Sequence, residues 1–394
     1  MKIALLGASG AIGGWIAERL IADGQQPRIV LRGSAGNRLS RYNDLDIIRA
    51  DASNSASLAT AFAECDVVIN CIIDKTQGLI DQQLVEKNVK VTEAILRACE
   101  AAKIRRYIHV SSIVVLPPNV VSTNIQNPWM YSSERDWYTQ AKIQTEKVVR
   151  GYAGPMEVSI VRPGIVYGPL TGWSLLGYGI SVRGAMVLPT PETESVCHAV
   201  HIDDVARLCI HLAELPSTPP SLVYAINPEM VRWETFYVEH ARATGVPLLA
   251  ERLSAEQLIA QSKSPTPFGQ EMFNWLAFSP VFQRFMTQSW VYPTVQRVKR
   301  AFRVDNLLVF PGTPPAPYRT RERMQPTRFE AHLLLCSGMF SAKETGGDCG
   351  YSYTHSFIEG MRITHEWYSY TVSTPSSLTS EVTTTCSRTH PLPL

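Results

Sequence analysis

The sequence has no C-x-x-C pair, no internal repeat and no stretch of eighteen apolar residues free of charge. Each absence removes a class of protein. Eight cysteines stand scattered at 65, 71, 99, 197, 209, 336, 349 and 386, several within apolar runs, as Cys71 is in VVINCII. Buried free thiols fit that pattern better than disulfides or zinc ligands. Without a long apolar run, no membrane span is expected. Charge of neither sign is in surplus: 37 Lys and Arg face 35 Asp and Glu, a net charge of +2. Neither nucleic acid nor a membrane surface is therefore expected as a partner. The first apolar strand begins at residue 2, which leaves no secretory signal ahead of it, and the expectation is a cytoplasmic protein.

What is present is ordinary for an α/β enzyme. The 394 residues are 45% hydrophobic and 18% charged, enough for one large domain or two lobes. The chain opens MKIALLGASGAIGGW. Residues 2–6 read as a short strand that turns at Gly7 into a helix over 12–21. Gly7, Gly10 and Gly13 have the spacing G-x-x-G-x-x-G. Such a turn needs backbone angles that a Cβ penalises, a pyrophosphate needs close approach to bare backbone, and the helix must pack tightly on its strand. The free N–H groups and positive dipole end of the helix would then hold phosphates. This predicts a dinucleotide site built from Gly7, Ser9, Gly10, Ala11, Ile12 and Gly13.

Further strands are expected over 28–31, 46–49, 67–73, 107–110 and 156–162, with helices over 57–63, about 79–102 and about 136–152. The alternation predicts an α/β, Rossmann-like, doubly wound parallel sheet. Residues 1–170, rejoined by 198–228, would form the dinucleotide-binding domain. Residues 171–197 and 229–370 would form a smaller, mostly C-terminal substrate-binding lobe, packed by Trp275, Phe278, Phe282, Phe285 and Trp290. Residues 371–394, dominated by Ser, Thr and Pro, read as a disordered tail.

The second signal is Tyr138 with Lys142, in Y-T-Q-A-K. Residues four apart share a helix face, so phenol and ammonium would point into one cleft. A nearby cation favours phenolate and lowers a tyrosine pKa from about 10 towards neutrality, as a general acid/base requires. Y-x-x-x-K alone equally describes an amphipathic surface. Its context narrows the reading: Ser111 and Ser112 end a buried strand, at the carboxyl edge where open α/β sheets bind ligands. A serine hydroxyl there can bond the carbonyl oxygen that the tyrosine protonates, although a strand-end turn also accounts for the pair.

The glycine turn, Ser112, Tyr138 and Lys142 together resemble the short-chain dehydrogenase/reductase superfamily in its extended, NAD-dependent epimerase/dehydratase-like branch. Asn88 in KNVKVTEAILRACEAAKIRRYIHVSS resembles that family's helix asparagine. RPGIVYGP (162–169) is similar to its segment after the sixth strand, HIDDVA (201–206) to its H-V-D-D-V-A motif, and GYSYTHSFIEGMRITHEWY (350–368) to its C-terminal segment. The likeness runs over about residues 1–370. It implies a Rossmann domain, a nicotinamide cofactor bordered by Pro163 and Val166, and Ser112, Tyr138 and Lys142 as a catalytic triad. Asn88 would complete a proton relay through water and Lys142, and Asp51 would contact the adenine amino group. A homodimer through paired helices is also open on this resemblance. The sequence departs from the family pattern at Leu116-Pro117, where Tyr-Gly is usual, and over 311–349, which are longer and less regular.

The second strand bears on the cofactor. An acidic residue at its end would bond the ribose 2′-hydroxyl of NAD, yet none occurs between Arg28 and Tyr42. Arg32, Arg38 and Arg41 stand there instead. A 2′-phosphate within about 4 Å of a partly exposed guanidinium gains on the order of 4 kcal/mol before desolvation, and bidentate geometry adds to it. NADP(H) is the expected cofactor, with NAD(H) second.

Three functions remain in view. A reductase would use Tyr138 as proton donor to a ketone or aldehyde. An epimerase or dehydratase would hold NAD tightly and act on a sugar nucleotide; Ile113 and Val114, where the family's dehydratases carry acidic residues, speak against dehydration. A non-catalytic NADP(H) sensor would have lost Tyr138 and Lys142. The aromatic and leucine-rich lobe favours a small apolar or aromatic substrate. His109 reads as a satisfied core histidine, His198 and His201 have no carboxylate or cysteine cluster to make a metal site, and Asp203 and Asp204 read as helix N-capping residues.

Overall fold

The computed structural model describes residues 1–32, 39, 42, 44–76, 79–116, 137–183, 185–192, 195–245, 249–262, 331, 333–335, 340 and 344–373. Arg38, Arg41, the proline loop over 117–136, the aromatic residues 275–290 and the chain beyond residue 373 lie outside the described residues.

The first half alternates as its apolar runs predict: β1 (Ile3–Leu6), α1 (Ala11–Ala22), β2 (Arg28–Leu31), β3 (Asp46–Arg49), α2 (Ser55–Ala61), β4 (Val67–Asn70), α3 (Asp81–Ala101), β5 (Arg106–Val110), α4 (Trp137–Arg150) and β6 (Glu157–Pro163). Short strands β7 (Ile165–Tyr167), β8 (Ala185–Pro189), β9 (Val196–Cys197) and β10 (Ala199–His201) follow around α5 (Gly172–Arg183). Then come α6 (Ile202–Glu214), β11 (Leu222–Ala225), β12 (Val231–Arg232), α7 (Trp233–Thr244), β13 (Leu249–Leu253), α8 (Ala255–Gln261) and α9 (Phe357–Ser373). The strand expected over 67–73 ends at Asn70, whose side-chain oxygen accepts from Ile72 N and turns the chain. Helix α9 runs to Ser373, three residues into the stretch expected to be tail.

Seven strands form one parallel sheet in the order β11-β6-β5-β4-β1-β2-β3. The order reverses at β1, so a crevice opens at the carboxyl ends of β1 and β4, the switch point where such sheets bind ligands. Alternation along the strands builds two cores. Ile3, Leu5, Ile29 and Ile69 face α1 and α6, while Ala4, Leu6, Val30 and Val68 face α2, α3 and α4. A third cluster around Tyr167, Leu188, Trp233, Phe236, Phe357 and Met361 fills the smaller, later region. Arg106, fully buried, donates to the carbonyls of Leu212, Ala213, Leu215 and Ser217 and so satisfies the carboxyl end of α6 from within the sheet.

Asp203 and Asp204 do more than cap. The N-cap of α6 is His201, whose Nδ1 accepts from Asp203 N. The Asp203 carboxylate instead gathers Arg19 of α1 at 2.6 Å, Arg207 at 2.8 Å and His355 at 3.0 Å. Asp204 accepts from the backbone N–H of Thr354 at 2.7 Å and of His355 at 3.2 Å. The two carboxylates thus strap the C-terminal segment to the first and sixth helices. The correction has a physical reason: both are almost fully buried, and a buried carboxylate needs cations and N–H groups from whatever packs on it. Burial pushes the Asp203 pKa up, but the bonds from His355, Arg207 and Arg19 outweigh it and hold the acid well below the usual range. A depressed carboxylate stabilises the fold fully above the unfolded value near 3.8, and that contribution is lost as pH falls through the folded value. Asp203→Asn should therefore cost about 3 kcal/mol at neutral pH. In urea titrations, its deficit against wild type should shrink once the pH drops below about 4; a deficit independent of pH would contradict this account.

Candidate active site

A cavity of about 780 Å³ runs along the carboxyl edge of the sheet. At one end stands the glycine turn. Gly7 has φ +83°, and a Cβ on Gly13 would lie 2.4 Å from the Gly7 carbonyl oxygen, so only glycine lets α1 begin this close to β1. No side chain caps α1, which leaves the N–H groups of its first turn pointing out without an intrahelical partner. Such a cradle fits a dinucleotide pyrophosphate. Ser9, Gly10, Ala11, Ile12, Arg32 and Asp51 line the same cavity, and Ser112, Tyr138, Pro163 and Val166 line its further end. Lys142 and Asn88 stand behind the wall.

Ser112 follows β5 in extended conformation and starts a 3-10 turn, Ile113–Val115; its Oγ accepts from Val114 N at 3.3 Å. Tyr138 opens α4 one turn before Lys142. Lys142 is only 5% exposed; its ammonium donates to Val110 O at 2.8 Å and lies 5.9 Å from the Tyr138 ring centroid. Desolvation pushes its pKa down to about 8, against the charge of Glu146. Cys71 lines the cavity too, but burial raises its thiol to about 12, so it stays protonated near neutrality.

The Asn88 side chain is fully engaged, and His109 departs from its expected state. Asn88 Nδ2 donates to Asp74 O at 3.0 Å and Leu84 O at 2.8 Å, and its Oδ1 accepts from Asp74 N at 2.8 Å. The amide therefore pins the loop after β4. His109 is only half satisfied: Nδ1 meets the Tyr107 hydroxyl at 3.1 Å while Nε2 finds no partner, and burial lowers its pKa to about 3. Asp51 accepts from Ser53 N and Oγ, which together hold its pKa low. Arg32 donates to Asp74 Oδ2 at 2.9 Å. Among the described residues no His, Cys, Asp and Glu cluster could hold a metal.

Sequence reasoning missed Glu146, the third residue of the stripe 138–142–146. It is fully buried, as is Arg162 of β6. Arg162 grips both carboxylate oxygens, at 2.9 and 2.6 Å, and donates to the Tyr224 hydroxyl at 2.9 Å; Ser111 Oγ donates to Glu146 at 2.5 Å. The pair locks α4 against the ends of β5 and β6, and so sets Tyr138 and Lys142 against Ser112. The signal was available: a carboxylate four residues beyond Lys142 on an inward stripe needs a buried cation.

A doubly wound sheet with an uncapped glycine turn at its switch point is a dinucleotide-binding fold. The family model of the NAD dependent epimerase/dehydratase family matches residues 3–226, more than half of the chain, and the chain belongs to that family, the extended branch of the short-chain dehydrogenases/reductases, whose enzymes use NAD(P). It is 21% identical to the decarboxylating sterol-4-alpha-carboxylate 3-dehydrogenase of Dictyostelium discoideum, over 62% of this chain and 77% of that protein. It is 25% identical to cinnamoyl-CoA reductase 1 of Petunia hybrida, over 54% and 69%. The solved structure of MoeE5 in complex with UDP-glucuronic acid and NAD superposes with a TM-score of 0.61 at 14% identity, over 94% of this chain and 100% of that one; this likeness shows the fold. No described helix is long and apolar enough to cross a membrane.

Glu146→Gln would leave Arg162 buried beside a neutral amide. Urea denaturation should register a loss of about 3 kcal/mol, against under about 1 kcal/mol for Arg97→Gln, which breaks the exposed Arg97–Glu93 pair on α3.

Proposed function

We propose that this protein is an NADP(H)-dependent oxidoreductase that reduces a ketone or aldehyde of a small apolar or aromatic metabolite. The observation that carries the reading is Tyr138 with Ser112 on the wall of one cavity, beside a buried Lys142 ammonium. Beyond them the cavity wall is apolar, with Val114, Ile165, Trp173 and Leu333, which suits such a substrate better than a nucleotide sugar. Reductases and dehydrogenases among the relatives agree with that preference. Arg32 at the end of β2, with no acidic residue in the sequence between Arg28 and Tyr42, supports NADP(H).

In this reading the turn backbone holds the pyrophosphate and Arg32 the 2′-phosphate. Pro163 and Val166 border the nicotinamide, which supplies the hydride when bound. Ser112 Oγ donates to the substrate carbonyl oxygen. Tyr138 passes its phenolic proton to the same oxygen, and Lys142 keeps the resulting phenolate favourable by its charge. Asn88 steadies the loop beside this end of the site and, with a water, can relay a proton to Lys142. Of the regions 171–197 and 229–370, Thr171, Trp173 and Leu333 line the cavity and would meet the substrate.

A second reading, an epimerase holding NAD, is favoured by one observation: Arg32 is already paired with Asp74. Titration with NADPH and NADH, followed by nicotinamide fluorescence, separates the two. NADPH should bind tighter, and Arg32→Asp should invert the preference; co-purified NAD indifferent to Arg32 would overturn the reductase. Tyr138→Phe should lower the rate of carbonyl reduction by about 100-fold or more with NADPH binding retained. Because the Lys142 cation exists below about 8 and is lost above it, the reductive rate should fall as pH rises through that value. A flat profile from pH 7 to 10 would exclude Lys142 from the chemistry.

A further inference from the structure

At the adenosine end of the cavity two cations converge on one carboxylate oxygen. Arg32 Nη1 lies 2.9 Å and Lys87 Nζ 3.2 Å from Asp74 Oδ2. The three differ in freedom. Asp74 is buried, and its other oxygen accepts from the N–H and the hydroxyl of Thr76. Its own backbone is clamped on both sides by Asn88. Lys87, the neighbour of Asn88 on α3, is half-buried and donates also to Thr76 Oγ1 at 2.5 Å. Arg32 alone is exposed, at 64% of its side chain. All of Arg32, Asp74 and Lys87 line the cavity.

We propose that Arg32 and Lys87 form a two-cation subsite for the cofactor 2′-phosphate, and that Asp74 is the fixed counter-ion which orients both and from which the phosphate displaces Arg32. This rests on the NADP(H) reading and deepens it. One carboxylate oxygen already brings a guanidinium and an ammonium together, and a phosphate beside it could draw on both donors. Releasing Arg32 costs little, because its guanidinium is exposed to water while Lys87 and Thr76 remain on the buried Asp74. A phosphate of charge near −2 attracts the guanidinium more strongly than the single carboxylate charge. Lys87 stays strapped to Asp74 and Thr76, and screens the phosphate from Asp74. Asp51 is close enough for Arg32 and Lys87 to help hold its pKa low, so a lone Arg32 would face two carboxylates; the second cation brings the four groups to neutrality. With NAD the Arg32–Asp74 pair stays closed and neither cation contributes.

The test is titration of the full-length protein with NADPH and NADH, with 2′,5′-ADP and 5′-AMP as competitors, for wild type, Lys87→Met and Asp74→Asn. Lys87→Met should weaken NADPH and 2′,5′-ADP about tenfold and leave NADH and 5′-AMP within about twofold. Asp74→Asn should tighten NADPH, by several-fold, with NADH little changed. NADPH preference that survives Lys87→Met intact, or a loss shared equally by NADPH and NADH, overturns the two-cation subsite while leaving the NADP(H) reading standing. Weaker NADPH binding by a folded Asp74→Asn overturns the role given to Asp74. A wild type that prefers NADH overturns the NADP(H) reading, and the subsite falls with it.

Discussion

The buried ion pair of Glu146 and Arg162 is the constraint on which the candidate site depends. Neither group can be removed from water alone without a penalty far above what one hydrogen bond returns. Together, with Ser111 and Tyr224 filling their remaining bonds, they fix one arrangement of α4 on β5 and β6. That arrangement puts the Lys142 ammonium on the last carbonyl of β5, one residue before Ser111 and two before Ser112. Ser112, Tyr138 and Lys142 are the candidate residues that this arrangement positions. Geometry is imposed on them by a pair one turn deeper in the fold.

The same logic recurs where the later chain returns to the sheet. Asp203 and Asp204 belong to the first turn of α6, where an acid suits the helix dipole, but their bonds go outward to Arg19 and to the segment over 351–355. A C-terminal stretch with few apolar residues of its own is thereby fixed beside β11, where the Tyr353 hydroxyl reaches the backbone of Tyr224 and Ile226. Asn88 does a comparable service at the other side of the crevice by holding the loop after β4.

Much of this is legible in the order of residues alone. The apolar runs and their alternation mark six of the seven sheet strands to within a few residues, leaving β11 unread, and the glycine spacing locates the turn at the switch point. Such signals are local: they depend on side-chain period and on backbone angles within a dozen residues. The stripe of Tyr138 and Lys142 is legible for the same reason, since helical neighbours are four apart whatever the fold. Less legible are the ends of elements, such as the strand that stops at Asn70, because a side-chain bond to the next turn decides them.

The sequence by itself determined the class of fold, the place of the dinucleotide turn and the face of α4 that looks inward. Only the tertiary structure decided which charges meet. Arg32 and Asp74 are 42 residues apart in the chain, Arg19 and Asp203 184. No periodicity links such residues; parallel crossovers bring the carboxyl ends of distant strands to one edge and lay α1 beside α6 on one face of the sheet. Burial then obliges each charge to find a partner there.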